Sequence, residues 1–492
     1  MTQDSHDDKN EIRPAAVTLA ARTMFNIDQY RWQFDALSDL IDLAPHASQL
    51  DSVERIISDL GKQTSTLSKD QIKLFVEITQ KHLNDKSDLS VKTYMRELLD
   101  HVGADANGAL FLFKWHETLN RTPRLPILFN SLIVTAVSTF EVQIAKLATD
   151  YYHAHPEALD AGPKEQAPSF SLSDLKKLGS IEEATELAIS RRVEVLLFGS
   201  LSDWRKFFKD RLNLDLPDFA IDWNAARELF QRRHVIVHNG GYASRRYITQ
   251  TADCNVGKPV EVGTYLDSDR EYVQAALDQL LTIGVLLAVS AGIKLHTAQA
   301  QAFISKLQAI SYETLLRRQW RVTEKMCRFG SSISITAQDA VLFTVNGWIA
   351  RARLNGPESI REEVSKWDTS ALAHRYRLAK SCLLGDHDTA FQDLAKLVES
   401  GDLDVSDALE WPLLEGLRSD PRFSKIISGS EQDEITQQDK AKYAIAPRSK
   451  IVHILPCPRA SSQAVEVTVT EAAKQGAAPC KICKPDLSPQ ES

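Results

Sequence analysis

The chain has 492 residues, 43% hydrophobic and 25% charged, with a formal net charge of -8. That length supports two to four domains at roughly 100–200 residues each, and the mixture is that of a globular protein. The negative balance excludes a generally basic nucleic-acid coat, so any contact with nucleic acid must come from a local patch.

The N-terminal stretch MTQDSHDDKNEI is polar and mostly acidic, which predicts disorder over residues 1–12 and no secretory signal. From about Ala15 to Leu99 apolar residues recur at helical spacing, as in Leu37, Leu40 and Ile41 and later Ile72, Phe75, Val76 and Ile78. Residues 1–104 are therefore expected to form a helical N-terminal region without chemistry of its own. Residues 105–300 read as one multi-helix bundle. A long apolar helix spans Leu128–Tyr152, and a turn-rich segment with Pro156, Gly162, Pro163 and Pro168 follows it. Ser180-Ile181-Glu182-Glu183 is a capping-box pattern, and Ser202-Asp203-Trp204 starts the next helix. Trp204, Phe207 and Phe208 have helical spacing and are expected in the core rather than as a base-stacking platform. A helix over 222–238, a loop with Gly257 and Pro259, and an apolar helix from about Ser268 to Leu295 complete the bundle. The uncharged runs Leu125–Phe140 and Gln279–Ile293 fall short of the ~18 residues of a membrane span and predict buried helices with no membrane partner.

Residues 301–428 are again helical. Leu372–Leu403 reads as two helices turning at Gly385-Asp386, with Ala379 and Ala390 where the pair approaches. It resembles a tetratricopeptide-type hairpin, although no 34-residue period runs through the segment. A plain helical spacer accounts for it equally. Residues 429–449 form a polar linker rich in Gln, Asp, Glu and Lys.

Three of the six cysteines crowd into the last 36 residues, an arrangement suited to a reducing, cytoplasmic setting rather than to a disulfide framework. In the module at 450–492, His453, Cys457, Cys480 and Cys483 follow the spacing H-x3-C, 22 residues, C-x2-C. Imidazole and thiolates are the ligands of tetrahedral zinc, and four of them close a structural site with no open position for catalysis. Between them Val465–Val469 alternates like a strand, and Glu471–Gln475 fits one helical turn. So small a piece cannot bury enough core to fold alone, so the metal must supply folding free energy. The segment resembles the small zinc-binding tails appended to nucleases and DNA-repair proteins. The alternative is unpaired thiols in a disordered tail.

The helix over 222–238 ends in RRHVIVHNGG, Arg232–Gly241. Asn239-Gly240-Gly241 is a left-handed stop, and His238 sits in the last turn, where the helix dipole favours a cation. Five arginines and one acid, Glu228, lie between Arg227 and Arg246, a local positive patch in an acidic chain. Arg233 and His238 are about 140° apart around the axis, while His234 and His238 share a face. Arg233-His234-Val235-Ile236-Val237-His238 resembles the R-[N/H/D]-x3-H motif of the HEPN superfamily. Phe140-Glu141, the insertion carrying Leu178-Gly179-Ser180 and Phe198-Gly199-Ser200, the Asn-Gly-Gly stop and the long helix after it fit the RNase-type branch over about 105–300.

The resemblance implies a metal-independent endoribonuclease, active as a homodimer whose two motifs face each other, with RNA as substrate. It further suggests a toxin or anti-phage role and an antitoxin as a possible protein partner. His238 is then the general acid or base, Arg233 the phosphate clamp, His234 a residue that tunes or shares the proton transfer, and Glu141 the residue that orients Arg233. The 2′-hydroxyl requirement would restrict cleavage to RNA. Three other readings stand beside this one. Arg233 and His238 can be helix caps satisfied within the bundle. His234 and His238 can be a metal pair, though the Glu of H-E-x2-H and a third ligand are absent. The bundle can also be a catalytically silent dimerisation scaffold that binds protein or nucleic acid. What separates them is whether Arg233 and His238 face a solvent-open cleft. The small basic cluster of Arg317, Arg318 and Arg321 around Trp320 is read as a solvated helix face.

Overall fold

A computed structural model of the chain describes residues 14–52, 68–84, 91–102, 106–119, 123–160, 177–214, 221–254, 260–428, 443–445, 451–454, 465–467 and 477–480, with positions 55, 56, 59, 170, 171 and 173. The expectations for residues 1–12, for the turn at 162–168, for Gly257 and Pro259 and for a helical turn at 471–475 lie outside these residues. The fold is helical in its bulk, as expected, with eighteen α-helices among the described residues and one small sheet near the C-terminus. The chain divides into two compact units, Met1–Ser311 with Arg321–Phe343, and Tyr312–Trp320 with Thr344–Ser492.

The first unit is built around two long helices. In chain order its elements are α1 (Pro14–Ile41), α2 (Ala44–Leu50), α3 (Lys69–Asn84), α4 (Val91–Val102), α5 (Ala106–Leu119), α6 (Arg124–Ala154), α7 (Ile181–Leu197), α8 (Leu201–Leu212), α9 (Trp223–Asn239), α10 (Arg245–Thr251) and α11 (Arg270–Leu295). The helices α12 (Ala300–Leu316) and α13 (Trp320–Ile333) follow. From Leu280 to Gly292 α11 carries no charge on any side, and such a stretch has to be enclosed; every one of its residues is buried. By length and composition α6 and α11 could each cross a membrane, and 83% of the apolar window of α11 is buried inside the protein.

α11 is enclosed partly by α1, which corrects the expected boundary at residue 104. The stripe Ile27, Tyr30, Phe34, Leu37 and Ile41 of α1 belongs to the same core as α6 and α11. The Tyr30 hydroxyl donates to the Leu280 carbonyl (2.6 Å). Gly284 makes this approach possible, because a Cβ there would run into the Tyr30 ring. Asp150 of α6, 1% exposed, accepts from Arg22 (2.8 Å) and from Thr23 (2.7 Å) of α1. The same boundary also divides a satellite core. Phe75 and Ile78 of α3, Leu98 of α4, and Phe111, Leu112 and Trp115 of α5 pack together, and the Trp115 Nε1–H donates to the Tyr94 hydroxyl (2.8 Å). The boundary at 300 shifts too, since Phe303, Leu307, Met326, Cys327 and Phe343 complete the bundle core.

α7, α8, α9 and α11 start within two residues of their sequence signals, while α6 begins at Arg124, four residues before the expected Leu128, and takes Pro126 into its first turn. Ser180 caps α7 by accepting from the Glu183 N–H (3.2 Å). A full capping box of Ser200 and Asp203 opens α8. Trp204 and Phe208 are buried, as their spacing predicted.

The second unit holds α14 (Ala337–Asn355) from residue 344 onward, α15 (Glu358–Lys366), α16 (His374–Leu384), α17 (His387–Glu399) and α18 (Val405–Glu410). α16 and α17 form the expected hairpin. Gly385 turns it at φ 75°, Asp386 caps α17, and Ala379 and Ala390 are fully buried between the helices. Arg318 pairs with Glu415 (2.6 Å), so the basic cluster around Trp320 is partly neutralised.

The C-terminal sheet runs β3-β1-β2-β4, with β1 (Tyr443–Ile445), β2 (Ile451–Ile454), β3 (Val465–Val467) and β4 (Ala478–Pro479). β3 is the strand that its alternation predicted. β1 corrects the linker at 429–449: it pairs antiparallel with both β2 and β3, so the module begins inside that segment.

Candidate functional site

α9 explains its own sequence. Asp222 caps it, its carboxylate accepting from the Asn224 and Ala225 N–H groups at 3.0 Å each. One face, Ala226, Glu228, Leu229, Arg232 and Val235, is buried. Each further residue turns about 100° around the axis, so Arg232 and Arg233 point different ways.

Arg232 is structural. Its Nε donates to Glu228 (2.8 Å), and a terminal nitrogen donates to the Asp267 carbonyl (2.8 Å). Its guanidinium lies 4.1 Å from the centre of the Tyr272 ring. The Tyr247 and Tyr272 hydroxyls each donate to Glu228 at 2.6 Å. Burial works against the charge of Arg232, but the surrounding Tyr272 and Glu228 raise its pKa above the ordinary arginine value. The sequence counted this residue into a positive patch. Arg232 is enclosed, Arg227 is paired with Asp253 (2.6 Å) and Arg233 faces Glu141, which leaves Arg245 and Arg246 as the exposed cations.

Arg233 turns toward α6. A terminal guanidinium nitrogen lies 3.6 Å from Glu141 Oε2, with the two side chains 28% and 31% exposed. The Arg233 Nε is buried without a hydrogen-bond partner among the described residues. Phe140, beside Glu141, anchors this stretch of α6 in the core, its ring 5.9 Å from Phe230 of α9 and 6.2 Å from Trp204. The Phe-Glu pair thus splits its work between a core pin and an acid at the surface. Burial pushes the Glu141 carboxyl above its ordinary value, and the Arg233 charge partly offsets this.

His238 is exposed in the last turn of α9, and the His234 ring lies 4.5 Å from it, centre to centre. Partial burial lowers the His234 pKa, and the nearby Arg246, His238 and Arg233 lower it further. This shift favours the neutral imidazole, the form that can accept a proton.

The Asn-Gly-Gly stop has an architectural cause. Gly240 and Gly241 take φ values of 60° and 89°. A Cβ on Gly241 would come within 2.6 Å of the Tyr265 ring. The chain then doubles back, with Ala243 N–H donating to the Thr264 carbonyl and Leu266 N–H to the Gly241 carbonyl, both at 2.8 Å. This turn leaves His238 at a free helix end rather than under a following segment of the same helix.

The structure thus brings Arg233 and Glu141 together across 92 positions of sequence, and places His234 against His238. It leaves the group open to solvent on the His238 side. Sequence reasoning missed the Glu228–Tyr247–Tyr272 enclosure. The i, i+4 spacing of Glu228 and Arg232 was its one visible signal.

Of the four candidate zinc ligands, His453 and Cys480 are described, and Cys457 and Cys483 lie outside the described residues. β2 and β4 run parallel in the register Val452↔Pro479, and the Cys480 N–H donates to the Val452 carbonyl (3.0 Å). His453 and Cys480 are consequently next to one another across the two strands, 4% and 5% exposed. Among the described residues no three His, Cys, Asp or Glu side chains are grouped to hold a metal. Two of the other cysteines differ in kind: burial pushes the Cys327 and Cys382 thiols up to about 12, which makes them protonated packing groups. Comparisons of the chain with protein-family models, with curated proteins and with solved structures found no match.

Proposed function

We propose that the chain is a metal-independent endoribonuclease whose reacting groups are Arg233, His238 and His234, positioned by Glu141. The observation that carries this reading is the arrangement at the end of α9: Arg233 half-buried against Glu141, His238 exposed, and the two imidazoles in contact. His238 stands open to solvent, where a substrate can reach it.

In the proposed reaction the ribose 2′-oxygen attacks the adjacent phosphorus and loses its proton to an imidazole. The bond from phosphorus to the 5′-oxygen breaks, and an imidazolium returns a proton to that oxygen. The products are a 2′,3′-cyclic phosphate and a 5′-hydroxyl. His234, whose neutral form is favoured by burial and by its cationic neighbours, is suited to the first transfer, and His238 serves the second. Arg233 stabilises the negative charge that develops on the phosphoryl oxygens. The active form on this reading is a homodimer in the cytoplasm, with an antitoxin-like protein as a possible partner.

The second reading is the silent scaffold. What favours it is that Arg233 already faces a carboxylate, which competes with a phosphate for its charge. The experiment that separates the two is RNA cleavage by the purified full chain in chelator, wild type beside His238→Ala. The nuclease reading expects cyclic phosphate ends from the wild type alone. Absence of cleavage on single-stranded, structured and transfer RNA removes it in favour of the scaffold.

For the C-terminal module we propose one structural zinc held by His453, Cys457, Cys480 and Cys483. The support is the placement of His453 beside Cys480, together with a small core, Ile445, Val452, Val467 and Ala477 among the described residues, of a size that gains from a metal to hold the fold.

A further inference from the structure

We infer that the groove between α1, α6 and the end of α7 seats one unstacked base of the RNA, with the Asn26 carboxamide reading its edge. This rests on the endoribonuclease reading and adds a base-recognition subsite to it. The groove has a volume of about 540 Å³, within the range of small-molecule sites. Glu141 lies in its wall and also faces Arg233, so the groove adjoins the reacting groups. Val142, Ala145 and Leu197 give it aliphatic surface on which a flat ring can lie.

Asn26 supplies the decisive observation. It lines the groove, is 9% exposed, and makes no side-chain hydrogen bond among the described residues. A carboxamide offers one acceptor and two donors. The Asn26 amide atoms are not sealed from solvent, so they open onto the groove, where a ligand can pair with them. RNA-binding proteins that read sequence do so on unstacked bases, through hydrogen bonds to their edges. The oxygen and N–H of an asparagine match the N6 amino group and N7 of adenine in particular. Lys146, also in the wall, hydrogen-bonds the neutral Gln29 (3.1 Å) and lies near Asp150, whose carboxylate already pairs with Arg22, so that its charge is shared between Asp150 and a flanking phosphate.

The test uses the full-length His238→Ala chain and short single-stranded oligouridylates carrying one central A, C, G or U. Affinity is read by fluorescence anisotropy. The A-containing oligomer is expected to bind tightest, and adding Asn26→Ala should remove its advantage, roughly 5- to 150-fold, while leaving the all-U oligomer unchanged. Val142→Trp, placed on a residue 53% exposed, fills the groove without touching the core and should abolish the same preference. Equal affinity for all four oligomers overturns the inference, as does a preference that survives both substitutions. Unchanged RNA binding with loss of a co-purifying protein in the Asn26→Ala chain gives the groove to a protein and also overturns it. Wild-type cleavage of the same oligomers is measured in parallel. Asn26-dependent binding without cleavage refutes the nuclease reading and keeps the base subsite. Cleavage with a base preference that Asn26→Ala leaves intact does the reverse.

Discussion

Arg232 and Arg233 are adjacent and carry the same charge, yet removing each should have a different consequence. Arg232 and Glu228 are 8% and 6% exposed and 2.8 Å apart. Arg232→Ala leaves the Glu228 carboxylate buried, with the Tyr247 and Tyr272 hydroxyls as donors but no cation. Breaking a buried pair from one side costs about 3–5 kcal/mol, and the two tyrosine hydrogen bonds put the expected value at the lower end, about 3 kcal/mol. The Arg233–Glu141 pair is 3.6 Å long, with both partners about a third exposed. Solvent screening limits its worth to below about 1 kcal/mol. Urea unfolding followed by far-ultraviolet circular dichroism should therefore move the first-unit transition strongly for Arg232→Ala and barely for Arg233→Ala. RNA cleavage should show the opposite pattern per folded molecule, lost in Arg233→Ala and largely retained in Arg232→Ala. A double change, Glu228→Gln with Arg232→Met, should recover much of the lost stability, because no uncompensated charge remains. Equal destabilisation by the two single variants would refute the division of labour. Wild-type cleavage by Arg233→Ala would remove the phosphate clamp.

The His234 imidazole should titrate below the ordinary histidine value of about 6.5, because burial and then Arg246, His238 and Arg233 oppose its charge. The unfolded chain then takes up the proton first. Stability from this group is intact above pH ~6.5 and declines as the pH falls toward the folded-state value. In a histidine-selective NMR titration Arg246→Ala should raise the His234 pKa, and an unmoved titration would exclude the electrostatic contribution. Gly284→Ala places a methyl group against the Tyr30 ring and should cost ~1–3 kcal/mol by overpacking; an unchanged melting temperature would contradict the docking of α1 on α11. The purified chain should carry one zinc, measured by elemental analysis, and Cys480→Ser should lose it while the helical signal persists. Stoichiometric zinc retained by that variant, or none in the wild type, would remove the proposed ligand set.

Periodicity reveals which face of a helix is buried, but not what buries it. The stripe Ile27, Tyr30, Phe34, Leu37 and Ile41 is legible in the sequence, and so is the uncharged run Leu280–Gly292. That the two stripes meet depends on Gly284, whose missing side chain matters only once Tyr30 is opposite it. For this reason the helical class was legible while the boundaries at 104 and 300 were not. β1 was hidden by its brevity, since three residues in a polar stretch carry no alternation signal, and its two pairing partners lie outside that stretch.

The candidate site shows the same limit at finer scale. Within α9 the phase of Ala226, Leu229 and Arg232 already separates the inner arginine from the outer one, because residues three apart share a face. Nothing in α9 points to Glu141; the resemblance suggested it, and the 3.6 Å approach gives that suggestion a geometry. Asn26 had no signal at all. An asparagine in a helix is ordinary until its neighbours are known, and its meaning depends on a missing hydrogen bond and on a groove that α6 and α7 help to form. A site built from α1, α6, α7 and α9 can therefore be lost by substitutions that leave the motif on α9 untouched. Val142→Trp is such a case: it should spare stability and the reacting groups while changing which RNA is held.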